Sequence, residues 1–150
     1  MTLRRVADRP TWLLSRAHAR AGGLLRQAFE AEGVRGYHFR LLAALEEYGA
    51  SSQADLGRAA GIDRSDVVAV LDDLVSRGFA RRDPDPADRR RNVVTLTDDG
   101  AAALDRLDTV LGRVQEAVLE PLTAAERPVF LALLRKLSPA DHADHADHAD

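Results

Sequence analysis

Residues 52–100 read SQADLGRAAGIDRSDVVAVLDDLVSRGFARRDPDPADRRRNVVTLTDDG. Ser52 suits the cap of a short helix over 53–60, with Asp55 three residues on as a weaker capping box. After the Gly61 turn, Val67, Val70, Leu71 and Leu74 follow the i, i+3, i+4, i+7 spacing of a helix that buries one stripe. Asp63 stands at the cap position of that helix, which runs to about Arg77 and stops at Gly78. Residues 79–82 and 92–96, the second with β-branched Val93, Val94 and Thr95, predict two paired strands. The loop between them holds Pro84, Pro86 and then Arg89, Arg90 and Arg91, while Arg77, Arg81 and Arg82 approach from the other side. From Arg77 to Arg91 six arginines face three aspartates, a local excess of +3 that suits a phosphate-binding surface.

At these residues the chain resembles the MarR family of bacterial transcription regulators. The resemblance rests on QADLGRAAGI followed by a helix, then on LVSRGFARRDPDPADRRRNVVTLTDDG. The latter is similar to the family's wing, with its D-x-R element at Asp88 and Arg90 and its L-T-x-x-G exit at Leu96, Thr97 and Gly100. With the flanking helices it covers roughly residues 9–137. It implies a mainly α, winged helix-turn-helix fold whose N- and C-terminal helices make a dimerisation domain. The implied division is 1–36 and 101–138 for dimerisation, 37–100 for DNA binding and 139–150 as a low-complexity tail.

Composition agrees with a helical regulator and narrows the alternatives. A chain of 150 residues suits one domain with a real core, and at 5% aromatics that core must be mainly Leu, Val and Ala. Without cysteine there is no disulfide, thiolate metal site or thiol redox sensor. Apolar runs fall far short of the ~20 residues of a membrane helix, and no signal-peptide pattern opens the chain, so a cytoplasmic protein is expected. The net charge of -3 hides an asymmetry: without the four aspartates of residues 139–150, 21 cations face 20 acids. No nucleophile elbow, paired-acid motif, phosphate loop or metal-ligand set is present, which argues against an enzyme and against a cofactor.

Outward from the central stretch, Pro10 suits a helix start, and Trp12, Leu14, Ala17, Ala21, Leu24, Leu25 and Ala28 make a stripe leading to Phe29. Gly22 and Gly23 inside it predict either close helix packing or a kink beside a pocket. A second helix over 37–48 carries His38, Leu41, Leu42 and Leu45 on one face, so His38 points inward, as a hydrogen-bonded core residue or as a ligand. Thr97 caps a fifth helix in which Leu104, Leu107, Leu111, Val114 and Val118 repeat at steps of three and four, a seam suited to a partner chain. Thr123 and Glu126 form a capping box for a last helix with Phe130, Leu133, Leu134 and Leu137. In the tail, His142, His145 and His148 recur at spacing three, a pattern that chelates metal only if the ligands are held.

The function classes follow from these elements and from the resemblance. Arg64 and Ser65 in the first turn of the fourth helix are placed to meet bases or phosphates, and Val68 one turn on to pack on a thymine methyl; Arg64 is also close enough in sequence to pair with Asp66. Val68 and Ala69 stand where family members commonly carry a polar residue and then Arg, which moves readout away from the helix centre. Asp66, Asp72 and Asp73 would repel phosphates unless paired with neighbours such as Arg77; Asp72 and Asp73 otherwise read as a solvated acidic face. The resemblance assigns Arg90 to the minor groove, with Arg89 and Arg91 beside it, and Asp88 is spaced to fix the Arg90 guanidinium. It also implies a double-stranded DNA operator, a homodimer, and an effector pocket between dimer helices and winged domain. Trp12, Arg16 and His38 are the residues expected to line that pocket, suiting a planar, weakly acidic aromatic compound. A ligand-responsive repressor is the reading these points favour; an effector-independent or architectural DNA-binding protein is the alternative.

Overall fold

The computed structural model describes residues 4–138. In chain order the elements are α1 (Pro10–Ala31), α2 (Gly36–Tyr48), α3 (Gln53–Ala60), α4 (Arg64–Ser76), β1 (Ala80–Pro84), β2 (Asn92–Leu96), α5 (Asp98–Leu119) and α6 (Glu126–Leu137). They form two compact units that divide within α5, the first ending at Ala117 and the second starting at Val118. No helix among the described residues is long and apolar enough to cross a membrane.

In the first unit the expected stripes meet in one core. Leu41, Leu42 and Leu45 of α2, Leu56 of α3, Val67, Val70, Leu71 and Leu74 of α4 and Val94 of β2 are buried together with Phe29 at the end of α1. Each such side chain contributes about 1.5–3 kcal/mol by leaving water. Leu104 and Leu107 of α5 join this same cluster, and Val114 is also buried within the chain. Three residues of the expected intermolecular seam are therefore covered by their own subunit, and only Leu111 and Val118 remain half-buried. A period-3.5 pattern reports that a stripe is buried but not which chain covers it.

Helix ends are set by local chemistry that repeats. Gly33, Gly61 and Gly78 take left-handed φ values of 70°, 60° and 75°. In each case the next residue closes the same turn: Val34 N–H donates to Phe29 O, Ile62 N–H to Gly57 O and Phe79 N–H to Leu74 O, at 3.0, 2.9 and 2.9 Å. The glycine conformation satisfies two terminal carbonyls and turns an apolar residue back against its helix. Because Phe79 is used this way, β1 starts at Ala80 rather than at residue 79 and extends to Pro84.

The N-terminal caps are mixed. Ser52 Oγ accepts from Asp55 N–H at 3.2 Å, Thr97 Oγ1 from Gly100 N–H at 3.0 Å, and Thr123 N–H donates to Glu126 Oε2 at 2.8 Å. Those bonds from Thr123 hold the Glu126 carboxyl below its ordinary value. Asp63 is the residue before α4, but its side chain makes no cap bond. Within the chain, a Cβ at Gly22 or Gly23 would meet nothing within 4 Å.

The β1–β2 hairpin pairs Ala80 with Leu96 through to Pro84 with Asn92. The other edge of β2 is held by Ser51, whose N–H donates to Val94 O at 3.1 Å and whose carbonyl accepts from Val94 N–H at 2.8 Å. The loop before α3 thus anchors the base of the hairpin. At the exit, Gly100 is required by space: an added Cβ would lie 2.0 Å from Phe79 O.

In the second unit, α6 has no buried residue. Val129, Leu131, Leu133 and Leu137 are all exposed.

Candidate nucleic-acid interface

The helix-turn-helix is tight because α3 has a glycine where α4 crosses it. A Cβ at Gly57 would lie 2.9 Å from Val67 Cγ2 and 3.3 Å from Ile62 O. Beside this crossing, a groove of about 870 Å³ is lined by Gln53, Arg58, Arg64, Val68, Arg91 and Asn92 among others. Arg64, Ser65 and Val68, the recognition residues expected from sequence, are exposed on the first turns of α4. Arg64 forms no ion pair with Asp66 among the described residues. Gln53, Arg58 and Asn92 were not among the expected contacts. Gln53 was legible in retrospect as the first residue after a serine cap, whereas Arg58 and Asn92 reach the groove only through tertiary packing. Arg58 is hydrogen-bonded to Asp55, whose carboxyl is held below its ordinary value first by Ser52 and then by Arg58.

The tip of the wing is an ordered pair of turns. Asp85 N–H donates to Arg91 O at 2.8 Å, Ala87 N–H to Asp85 Oδ1 at 2.8 Å and Arg91 N–H to Asp88 O at 2.9 Å. Asp88 Oδ1 accepts from both the backbone N–H and the Nε of Arg90, at 3.1 and 3.2 Å. These two bonds hold the Asp88 carboxyl below its ordinary value, the backbone one contributing most. The Arg90 side chain is 91% exposed while bound at its root, so its terminal guanidinium nitrogens project outward. Arg89 and Arg91 are exposed and make no side-chain hydrogen bond or ion pair among the described residues.

Of the six arginines that cluster in sequence, the other three are used differently. Arg81 pairs with Asp83 at 2.6 Å within β1, and Arg82 reaches from β1 to Asp72 of α4 at 2.5 Å. Arg77 leaves the wing altogether: its Nε donates to Asp73 at 2.8 Å and its Nη2 to Gly33 O at 2.9 Å. Asp72 and Asp73 therefore keep contact with solvent but are paired acids rather than free ones. Their neutralisation by Arg82 and Arg77 removes charge that would repel phosphates from α4.

His38 is buried at 4% exposure and lies at hydrogen-bond distance from Asp73 Oδ2, 2.8 Å from Nε2. Its Nδ1 accepts from Arg35 N–H at 3.1 Å. Burial works to raise the Asp73 carboxyl, but hydrogen bonds from His38 and Arg77 outweigh it and hold the group below its ordinary value. Trp12 and Arg16 sit one turn apart on exposed α1. Trp12 precedes Phe29 by 17 residues, roughly 25 Å along a helix, while Phe39 beside His38 stacks on Phe29 at 5.9 Å. Within one chain, then, Trp12 and Arg16 do not meet His38. No group of three metal-ligating side chains occurs among the described residues, and His142, His145 and His148 lie outside them.

The comparisons with known proteins agree with this geometry. A MarR family model matches residues 32–91, from the end of α1 to the wing tip. The HTH-type transcriptional repressor NicR of Pseudomonas putida is 33% identical over 136 residues, covering 91% of this chain and 86% of NicR. Among solved structures, Bordetella bronchiseptica BpsR, whose DNA binding is regulated by 6-hydroxynicotinic acid, is 32% identical with a TM-score of 0.76, covering 93% of this chain and 100% of that one. The transcriptional repressor CouR bound to a 23-mer DNA duplex superimposes with a TM-score of 0.79 at 26% identity, covering 93% and 99%. With its helix-turn-helix, arginine-tipped wing and this degree of identity, the chain belongs to the MarR family of winged helix-turn-helix transcription regulators.

Proposed function

We propose that this chain is a repressor that binds a pseudo-palindromic operator as a homodimer in the cytoplasm and releases it when a planar, weakly acidic aromatic compound binds. The observation that carries the DNA reading is the wing tip, where Asp88 holds the root of an otherwise exposed Arg90 beside the groove lined by Arg64, Val68 and Arg91. On that reading α4 enters the major groove and Arg90 the adjacent minor groove, whose negative potential is strongest over A·T-rich segments. The homodimer reading is supported by exposed Trp12, Leu13 and Leu14 on α1 and by the exposed apolar residues of α6. Two such subunits would read half-sites about one DNA turn, ~10 bp, apart.

The effector class rests on Trp12 and Arg16, a flat apolar surface and a cation one helical turn away, and on the similarity to BpsR and its 6-hydroxynicotinic acid. His38 would complete the pocket only as part of the winged domain facing α1 of the other subunit. A compound releases DNA through its differential affinity for the two wing spacings. Trp12 is the single tryptophan, so the protein's tryptophan emission reports this one residue. Titrating small aromatic acids, 6-hydroxynicotinic acid among them, should quench or shift that emission and free a bound duplex over one concentration range. Release that leaves Trp12 emission unchanged, at undiminished potency in a Trp12→Ala, Arg16→Ala protein, would overturn the pocket. If none of the acids releases the duplex, the effector-independent binder is the correct reading.

A further inference from the structure

Five residues close a polar ring between the α1–α2 corner and the last turn of α4. Gly33 O accepts from Arg77 Nη2 at 2.9 Å, Arg77 Nε donates to Asp73 Oδ2 at 2.8 Å, the same oxygen lies 2.8 Å from His38 Nε2, and His38 Nδ1 accepts from Arg35 N–H at 3.1 Å. The chain of bonds starts and ends within residues 33–35, so the corner holds α4 from two sides. Because Nδ1 must offer a lone pair to the Arg35 N–H, the imidazole proton sits on Nε2 and is donated to Asp73. His38 is buried, and an apolar side chain of its size would fill the same space but make neither of these two bonds. Its distinguishing property is directional: one ring accepts from the start of α2 and donates to α4, which presents Arg64 and Val68 to the groove.

We infer that His38 is a positioning residue for DNA recognition, fixing α4 against the α1–α2 corner by donating its Nε2–H to Asp73. The inference rests on the reading of α4 as the recognition helix. Both ring nitrogens are occupied without an effector, so in the proposed pocket His38 would offer one its ring carbons.

The two halves of the imidazole can be tested apart. His38→Gln places an amide N–H near the Nε2 position and retains the bond to Asp73, whereas His38→Asn retains an acceptor for Arg35 N–H and has no donor that reaches Asp73. A duplex selected from a random library by the unaltered protein serves as the probe, with a scrambled duplex beside it. His38→Gln should bind the selected duplex within about threefold of the unaltered protein, and His38→Asn about tenfold more weakly, or ~1.4 kcal/mol. The loss should fall on the selected duplex and spare the scrambled one, which a general loss of folded protein would not do. In an Asp73→Ala background His38→Asn should have no further effect, the signature of two residues acting as one. Equal binding by the Gln and Asn proteins, or losses that multiply in the double variant, would overturn the role. Nitrogen-15 NMR of the unaltered protein gives a check independent of variant folding: His38 should be the Nε2–H tautomer, and the Nδ1–H tautomer excludes the bond. Failure of the unaltered protein to select any duplex would instead sink the DNA-binding reading, and this role with it.

Discussion

Asp88 carries a negative charge into a surface proposed to meet phosphate, and charge counting alone predicts that its removal tightens binding. The two bonds from Arg90 to Asp88 Oδ1 argue the opposite sign. An arginine 91% exposed samples many rotamers unless its root is held, and insertion into a minor groove is costly when that freedom must be lost on binding. Arg90→Ala should therefore weaken operator binding by about 1–3 kcal/mol. Asp88→Ala should weaken it too, by less, and anisotropy titration at a single salt concentration measures both. Tighter binding by Asp88→Ala would show that the carboxylate repels DNA more than it orders Arg90. The Asp-x-Arg spacing was readable in the sequence because the contact is local, between residues two apart.

Among the elements, α1 and α5 behave least as their sequence patterns suggest. Gly22 and Gly23 have no neighbour within 4 Å that a methyl group would strike, so they are not there to let another helix of the same chain approach. An alanine fits at either site and relieves the backbone entropy cost of glycine inside a helix. Gly22→Ala and Gly23→Ala should each raise stability to urea unfolding by up to ~1 kcal/mol. A loss of stability that deepens on dilution would mean instead that a partner chain packs on these glycines. Gly100 is the contrasting case, with Phe79 O at 2.0 Å from a Cβ built there. Gly100→Ala must displace either the first turn of α5 or the end of the Phe79 turn, and the same urea titration should show it strongly destabilised. The sequence placed Gly100 in the wing-exit motif and Gly22 and Gly23 inside a helix, but not the room around each, because space around a residue is a property of the packed chain.

At the scale of the whole molecule, α2, α3, α4 and β2 share one core with Phe29 of α1 and Leu104 and Leu107 of α5, whereas α6 buries nothing and α1 buries only Phe29. Helices of this kind gain most of their stability from packing an apolar face, so long exposed ones call for a partner. Leu111 is half-buried on α5, between Leu107 in the winged core and buried Val114. In the proposed dimer, Leu111→Glu should convert the protein to a monomer in sedimentation at micromolar concentration and weaken operator binding in parallel. It should leave the winged fold intact, since Leu104 and Leu107 hold α5 to that core. An unaltered protein that sediments as a monomer, or a Leu111→Glu protein that stays dimeric, would refute this assembly.

What the sequence by itself determined was everything governed by short range. The buried stripe of α4, the three glycine turns, the Ser52, Thr97 and Thr123 caps and the Asp88–Arg90 contact link residues no more than seven apart, where periodicity and backbone geometry leave few alternatives. These elements together with the D-x-R and L-T-x-x-G motifs carried the resemblance to the family. Only the tertiary structure decided the destinations of long side chains and shared stripes. It sent Arg77 to Gly33 and Arg82 to Asp72, joined His38 to Asp73 across 35 residues, and drew Leu104 and Leu107 into the winged core. An arginine reaches in many directions and a leucine stripe fits any apolar surface, so their partners follow from which helices the fold brings together.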